Sequence, residues 1–333
     1  MRRVFSGIQP SGELHIGNYL GAVRNWVELQ AQYECFFCIV DYHAVTQPYD
    51  TATLSPRTFD MAVGLLASGI DPERCTLFVQ SHVQEHTELS WIFNTVTPLG
   101  DLERMTQFKD KAQRQKSVSA GLLNYPVLQA ADVLLYKADL VPVGEDQVQH
   151  VELMREIVRK WNARYGEGVF PEPEAMIGHA RRIIGLDGQA KMSKSLGNTI
   201  GILDDPDDVW ARLRPSVTDP ARVKKTDPGN PEVCNLYSLH KHFSPVETIE
   251  HVAVQCRSAG WGCLDCKRVL SQGIEEKFAP MRERAAALQE DPAQVHAILQ
   301  AGADRARAVA QTTMAEVRER MGFLLPEQSA VPE

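Results

Sequence analysis

The sequence lacks the features of a membrane protein and of a general nucleic-acid-coating protein. No apolar run approaches the ~20 residues that a membrane-spanning helix needs, and the N-terminal segment has no apolar stretch of signal-peptide length. Lysine and arginine number 35 against 43 aspartates and glutamates, so the net charge is −8 and a protein that coats nucleic acid is not expected. A local basic face could still bind one RNA. We expect a cytoplasmic protein with neither membrane nor DNA as a partner.

Low-complexity segments and internal repeats are also absent. The 333 residues are 44% hydrophobic and 23% charged, which is typical of a globular chain of two domains or of one domain with an insertion. Disulfides are not expected among the seven cysteines of a cytosolic chain of this size. Cys35 and Cys38 stand three apart in an apolar run, where they would face opposite sides of a strand, and we expect them and Cys75 to be buried packing residues.

Short apolar runs alternate with helical patterns in the first half of the chain. The predicted strands cover 4–8, 36–40, 76–80 and 140–143, and the predicted helices cover 14–32, 55–68, 85–96 and 145–161. Ser55 is the expected N-cap of the second helix, with Pro56 at its first position. This alternation predicts a doubly wound, Rossmann-like α/β domain with a parallel sheet over residues 1–187. From Asp204 onward only helical patterns follow, the last two at 263–289 and 292–321.

A polar turn with glycines connects the first strand to the first helix, in the stretch QPSGELHIGN. Backbone N–H groups at a helix start attract anions, and the end of the first strand is where a doubly wound sheet places a nucleotide. Gly17 would let a ring approach the backbone, and His15 and Asn18 can donate hydrogen bonds to phosphate. The stretch lacks a G-x-G-x-x-G fingerprint, and by itself it is equally compatible with an ordinary helix entry carrying a surface histidine.

A second candidate for phosphate binding is KMSKS, from Lys191 to Ser195, which lies between Gly188 and Gly197. Flanking glycines suit a loop that moves, and its two lysines could neutralise charge that develops on a leaving pyrophosphate. The alternative for this segment alone is a solvated basic loop.

Together, HIGN and KMSKS resemble the signature pair of class I aminoacyl-tRNA synthetases, with Asn18 where many members have a second histidine. The resemblance covers nearly the whole chain. It implies a catalytic domain at 1–187, a mobile loop at 188–198, a helical anticodon-binding domain at 199–290 and a C-terminal helix at 291–325. It also implies ATP, Mg²⁺ and a tRNA as partners and a homodimer as the assembly. The implied ATP-binding residues are Gln9, Ser11, His15, Gly17, Asn18, Gly144, Asp146, Ile183, Lys191, Met192, Ser193, Lys194 and Ser195.

The amino-acid substrate is indicated by the segment between the two signatures. Tyr125, Gln129 and Asp132 stand at i, i+4 and i+7 of an apolar helix and therefore share one face. A carboxylate among alanine, valine and leucine is costly unless it meets a donor. The N–H of an indole, the O–H of a phenol and a basic neighbour in the protein are all possible donors.

YPVLQAAD, VPVGEDQ and SGIQPSG resemble the tryptophanyl-tRNA synthetases in particular, whereas tyrosine-specific relatives usually carry G-S-D-Q in place of GEDQ. The resemblance implies that Asp132 accepts the indole N–H and that Tyr125 and Gln147 hold the α-ammonium. The other implied tryptophan-binding residues are Phe5, Gly7 and Val143 around the ring, His43 near the carboxylate, and Gln129, where some members have methionine. Gln9 and Asp146 would lie near the substrate and the ATP ribose, and Lys111 near the phosphates.

The reaction needs no protein nucleophile, because the carboxylate of the amino acid has a pKa of roughly 3.5 and is ionised without a general base. The protein has to align this carboxylate with the α-phosphorus of ATP and to stabilise charge. We expect His15, Lys111, Lys191 and Lys194, with Mg²⁺, to stabilise it. A tyrosine ligase, or a synthetase-like RNA-binding protein without activity, remains an alternative, although the intact HIGN and KMSKS signatures argue against the second.

Four cysteines, Cys234, Cys256, Cys263 and Cys266, cluster in the helical half with gaps of 21, 6 and 2 residues. A C-x-x-C with two cysteines nearby is a strong metal signal. The resemblance to a subset of bacterial tryptophanyl-tRNA synthetases implies a 4Fe–4S cluster, with a first gap one residue shorter than usual. Structural zinc and free thiols remain alternatives. We expect Lys267 and Arg268, beside the last cysteine, to contribute to the anticodon-binding surface.

Overall fold

Five parallel strands form one sheet in the order β3-β2-β1-β4-β5. The computed structural model describes residues 1–113, 117–177 and 183–324, with Lys111 and Ser195 described only in their backbone. The central pair, β1 and β2, runs in register from Arg3 opposite Glu34 to Ile8 opposite Ile39. The strands are β1 Arg3–Ile8, β2 Glu34–Ile39, β3 Thr76–Val79, β4 Leu140–Val143 and β5 Glu174–Ile177.

Helices connect these strands, and helices and loops make up the rest of the described chain. α1 and α2 are joined by a π-helical turn, Tyr19–Val23, so that one nearly continuous helical segment follows β1. The helices are α1 Ile16–Asn18, α2 Arg24–Leu29, α3 Asp41–Ala44, α4 Thr51–Ala67, α5 Glu85–Asn94, α6 Leu99–Glu103, α7 Thr106–Ala112, α8 Ala120–Leu134, α9 Val148–Tyr165, α10 Pro206–Leu213, α11 Asn235–Phe243, α12 Val246–Arg257, α13 Cys263–Glu290 and α14 Pro292–Met321.

Both faces of the sheet are covered, as the doubly wound prediction requires. On β2, Cys35 and Phe37 pack into the core on one face, whereas Phe36 and Cys38 pack into the core on the other. Cys35, Cys38 and Cys75 are all buried. The predictions of a parallel α/β fold, and of Cys35 and Cys38 as packing residues on opposite faces, are therefore confirmed.

Two local predictions were wrong. The helix expected at Ser55 begins one turn earlier, because Asp50 is the N-cap and accepts a hydrogen bond from the Ala52 N–H, so Pro56 lies inside the helix. Strand β5 was not predicted, because an edge strand that is only partly buried shows neither a continuous apolar run nor a clear alternation.

The core on the first face continues into the helical half. Val4 and Trp26 of the sheet half belong to the same buried cluster as Phe278 of α13 and Leu299 of α14. In residues 183–324 the structure has helices and isolated bridges but no further strand, which confirms a mostly helical second half. The predicted domain boundaries stay predictions. The buried cluster contains residues from both halves of the chain, so the core shows no division at residue 187. None of the helices in the described ranges combines the length and apolarity of a membrane span.

α14 crosses the sheet at its edge strand β3 and covers that edge. Val295 and Leu299 enter the core on one face, while Ala306 and Ala310 enter the core on the other. At the crossing point stands Gly302, where a Cβ would lie 1.8 Å from the Leu77 carbonyl oxygen. Only glycine allows the helix backbone to approach the strand this closely.

We therefore expect Gly302→Ala to lower the free energy of unfolding by about 1–3 kcal/mol, because the helix must move away from the β3 backbone. Urea unfolding would measure the change. Gly21→Ala is the matched control: a Cβ there meets nothing within 4 Å, so stability should be unchanged or increased. Equal losses in the two variants would contradict the proposed close contact.

Candidate active site

The carboxyl end of β1 leads into the HIGN segment. His15 is the N-cap of α1, and its Nδ1 accepts a hydrogen bond from the Asn18 N–H at 3.3 Å, while the Asn18 Oδ1 accepts from the His15 N–H at 3.3 Å. The neutral ring therefore carries its proton on Nε2, which remains a donor. This reciprocal cap fixes the direction of the ring.

The KMSKS segment continues from a hairpin-like turn in the helical half. The Met192 N–H donates to the Ile183 carbonyl at 3.0 Å, and the Gly185 N–H donates to the Ala190 carbonyl at 2.8 Å. Asn198 closes the segment: its Oδ1 accepts from the Ser193 N–H at 2.8 Å and its Nδ2 donates to Asp187 at 2.7 Å. Lys194 begins a short 3₁₀ turn that ends at Gly197.

The two signature segments meet in space. The Ile16 N–H donates to the Ile200 carbonyl, and the Ile202 N–H donates to the Leu14 carbonyl, each at 2.9 Å. A Cβ at Gly12 would lie 3.0 Å from Lys194 Nζ. A Cβ at Gly17 would lie 2.9 Å from the His15 ring and 3.0 Å from the Met192 Cβ. The loop lysine and the HIGN histidine therefore face the same space, beyond the end of β1.

The electrostatics of this space favour an anion. Burial, together with the charges of Lys194 and Lys191, lowers the pKa of His15 to about 4, so its ring is neutral near pH 7. Burial, together with the charge of Arg57, lowers the pKa of Lys194 to about 8 although Glu13 opposes the shift. A half-buried ammonium whose positive charge is this poorly compensated would gain from a phosphate beside it.

Across the switch point, β4 ends in the predicted GEDQ segment. Gly144 precedes a 3₁₀ turn, Glu145–Gln147. The Asp146 carboxylate is exposed and accepts hydrogen bonds from Gln147 Nε2 at 2.9 Å and from Gln107 Nε2 at 3.4 Å. Because the strand order reverses between β1 and β4, the crevice between their carboxyl ends is the expected ligand site of this fold.

Four of the eight predicted tryptophan-binding residues, Phe5, His43, Tyr125 and Asp132, belong to one buried set of aromatic and polar side chains. Phe5 stacks on Tyr136 at 5.6 Å between ring centroids. The rings of His43 and Tyr125 pack edge to face at 6.4 Å. The Tyr125 hydroxyl lies 3.1 Å from His150 Nε2 and donates to Gln107 at 3.3 Å. Burial raises the pKa of Tyr125 to about 12, so this hydroxyl stays protonated.

Asp132 lies at the centre of this set and is only 1% exposed. Its Oδ2 is 2.7 Å from His43 Nε2, and its Oδ1 is 2.7 Å from His86 Nδ1 and 2.6 Å from Gln80 Nε2. Burial alone would raise the pKa of this carboxyl. The charge of His43 and the hydrogen bonds from both histidines outweigh that effect and hold the pKa well below its ordinary value. Asp132 is therefore an ionised, fully buried acceptor.

The remaining predicted residues are placed less closely. Gln129 and Val143 are half-buried, and Gly7, at the end of β1, lies against the Val40 side chain. The backbone of Ser11 closes a turn on the Gln9 carbonyl at 2.8 Å. Lys111 lies in α7, but its side chain and that of Ser195 are outside the described residues.

Four polar residues of the site escaped the sequence analysis: Gln80, His86, Gln107 and Tyr136. Gln80 directly follows β3, and a polar residue at the carboxyl end of a parallel strand is a usable signal. His86 and Tyr136 gave no such signal, because their hydrogen-bond partners lie far away in the sequence.

The four clustered cysteines line one cavity in the helical half, together with Asp219, Arg222 and Trp261. Arg222 Nη1 donates to Cys263 Sγ at 3.9 Å, and Cys266 Sγ lies 3.4 Å from His240 Nε2. In the ranges that the structure describes, no three histidine, cysteine, aspartate or glutamate side chains converge closely enough to hold a single metal ion. The described geometry thus brings the thiols around a common space without forming a site for one ion.

The expectation for Lys267 was wrong. Its side chain is buried, and its ammonium donates to the carbonyls of Arg214 and Ser216, each at 2.7 Å. These carbonyls satisfy the charge, so Lys267 is a structural residue and is not available to RNA. Arg268, by contrast, is exposed and lies over the Trp210 ring.

Comparison with known proteins agrees with this geometry. Residues 1–279 match the class I tRNA synthetases (W and Y). The tryptophan–tRNA ligase of Deinococcus radiodurans is 56% identical over 329 residues, covering 97% of this chain and 99% of that protein. The enzyme of the same name from Thermotoga maritima is 45% identical over 328 residues, covering 97% and 99%.

Among solved structures, the tryptophanyl-tRNA synthetase of Campylobacter jejuni, complexed with ADP and tryptophan, has a TM-score of 0.89 at 39% identity and covers 96% of this chain and 100% of its own. The family match alone does not separate tryptophan from tyrosine, but these relatives do. The chain therefore belongs to the class I tRNA synthetases for tryptophan and tyrosine, and its activity is that of a tryptophan–tRNA ligase.

Proposed function

We propose that tryptophan is activated by ATP in the crevice beyond β1 and β4, and that the tryptophanyl group then passes to the terminal ribose of tRNA(Trp). One observation carries the location: Lys194 of the KMSKS segment reaches Gly12 and faces the same space as His15, although the two signatures are far apart in the chain. Activation of tryptophan by ATP needs phosphate-binding groups from both the HIGN and the KMSKS segments.

In this proposal the tryptophan carboxylate attacks the α-phosphorus of ATP and pyrophosphate leaves. The neutral His15 donates from Nε2 to a phosphate oxygen, and the ammonium groups of Lys191 and Lys194 stabilise the charge on the departing pyrophosphate. Lys111 would contribute from α7. Magnesium, carried by the ATP phosphates, would supply further charge neutralisation. Alignment of the two substrates can lower the barrier by up to about 7–11 kcal/mol.

The second part of the proposal assigns the indole pocket to the rings around Asp132. Its two oxygens offer about four lone-pair directions, and three of them meet His43, His86 and Gln80. The remaining direction, on Oδ2, would accept the indole N–H. Phe5, Gly7, Gln129 and Val143 would contact the ring, and Tyr125 and Gln147 would hold the α-ammonium.

A homodimer is also proposed. Trp91 of α5 is 72% exposed and Leu99 of α6 is 59% exposed. Large exposed apolar side chains on neighbouring segments are typical of protein–protein interfaces, so the α5–α6 region supports contact with a second copy.

Lys194→Ala should lower kcat/KM for ATP by about 10²–10³ in pyrophosphate exchange, because one charge on the leaving group is lost. Its pKa of about 8 also predicts that wild-type kcat/KM for ATP falls as pH rises through 8, since the ammonium loses its proton. Lys194→Arg stays charged and should remove that fall. The exposed Lys224→Ala is the control; a similar loss in Lys224→Ala and Lys194→Ala, or an unchanged pH profile in Lys194→Arg, would contradict the assignment.

Asp132→Asn should lower kcat/KM for tryptophan by about 10–100-fold, because a charged acceptor is replaced by an amide that the surrounding donors cannot all use. Pyrophosphate exchange with varied tryptophan would measure it. Asp304→Asn is the control, because Asp304 is an exposed residue of α14. If Asp132→Asn retained wild-type kinetics, Asp132 would not be part of the pocket.

The four-cysteine cavity is proposed to hold a 4Fe–4S cluster. Four thiols around one open space suit a cluster that spans several ångströms better than a single zinc ion at ~2.3 Å from each sulfur. The Gly229 backbone approaches Cys256 so closely that a Cβ there would lie 2.6 Å from the Sγ. When bound, the cluster would hold α11, α12 and α13 together.

Chain purified without oxygen should contain about four iron and four sulfide per molecule, and Cys263→Ser should lose them. Cys75→Ser, buried outside the cavity, should retain them. Stoichiometric zinc, or metal-free thiols that react with a thiol reagent, would refute the cluster.

A further inference from the structure

Behind Asp132 lies a second layer of polar groups that does not reach the proposed indole site. His86 and Tyr136 are fully buried, and the Tyr136 hydroxyl lies 2.7 Å from His86 Nε2. His86 Nδ1 in turn lies 2.7 Å from Asp132 Oδ1. The three residues form a continuous hydrogen-bonded line from the carboxylate into the core.

The direction of the protons along this line follows from the acceptors. An ionised carboxylate only accepts, so His86 Nδ1 must carry a proton. Burial raises the pKa of Tyr136 well above its ordinary value, so its hydroxyl keeps its proton. A buried phenol O–H requires an acceptor, and the Nε2 lone pair of His86, at 2.7 Å, supplies it. Asp132 and Tyr136 thus require the same tautomer of His86, and the two hydrogen bonds together hold the ring in the orientation that donates to Asp132.

Tyr136 itself is held by aromatic packing. Its ring stacks on Phe36 at 4.7 Å and on Phe5 at 5.6 Å, and it meets Phe78 edge to face at 5.5 Å. The hydroxyl thus has one position, and through His86 it determines which lone pairs of Asp132 Oδ1 are occupied.

We propose that Tyr136 and His86 are positioning residues for substrate selection, which orient Asp132 so that its free lone pair meets the indole N–H. This rests on the proposed role of Asp132 as the indole acceptor. Neither residue would contact tryptophan, so both would act on discrimination between substrates with and without the N–H donor.

The test compares kcat/KM in pyrophosphate exchange for tryptophan and for β-(benzothiophen-3-yl)alanine, which has sulfur in place of the indole N–H. The ratio of the two values, measured on one preparation, does not depend on the fraction of folded enzyme. We expect Tyr136→Phe to lower the wild-type ratio by about tenfold, because His86 loses the partner that holds its ring and is left with an unpaired buried Nε2. Tyr165→Phe, which removes a hydroxyl from a ring packed on Trp161, should leave the ratio unchanged.

A second variant tests the mechanism. In His86→Asn the side-chain Nδ2 can donate to Asp132 without help from Tyr136, so His86→Asn combined with Tyr136→Phe should recover most of the ratio. Equal losses for both substrates in Tyr136→Phe, with no change in their ratio, would overturn the proposal. If Asp132→Asn lost the discrimination between the two substrates while Tyr136→Phe kept it, only the positioning proposal would fail. If Asp132→Asn itself kept the discrimination, both the positioning proposal and the proposed indole pocket would fail.

Discussion

Two backbone hydrogen bonds hold the phosphate end of the site together. They join Ile16 to Ile200 and Ile202 to Leu14, and they fix the segment after KMSKS against the first helix. Side chains alone could not secure this register, because lysines on a loop have many rotamers and are strongly hydrated. With the backbone paired, Lys194 is close to Gly12, and its charge becomes part of the environment of His15.

The amino-acid end depends on a different constraint, the cost of burying a charge. An isolated carboxylate in a protein core is highly unfavourable, and Asp132 is tolerated because three donors surround it. A pocket that hydrogen-bonds a substrate N–H can reject an analogue without it by about 10⁴–10⁵. In the proposed assignment this rejection would come from the same donors that make the buried charge possible, and no separate hydrolytic site would be needed against phenylalanine.

The sequence predicted the elements whose signals are local and missed those whose partners are distant. Strands β1 to β4 each contain a short apolar run, and α13 and α14 begin at clear start signals, so their positions were predicted well. Lys267 was misassigned because a lysine beside an arginine is usually exposed, and nothing local reveals carbonyl partners 51 and 53 residues away. The line from Tyr136 to Asp132 was missed for the same reason: its members come from α5, α8 and the residues just after α8, and only the fold brings them together.

The crossing of α14 over β3 has a consequence for how the chain is made. An uncovered edge strand exposes unpaired backbone groups that can template pairing with another chain. In this protein the covering segment is α14, which follows all five described strands in the sequence, so a chain still being synthesised has an open edge at β3 until residues near Gly302 have left the ribosome. Premature termination before this helix would therefore yield a product prone to aggregation, even though every strand of the sheet had already been translated.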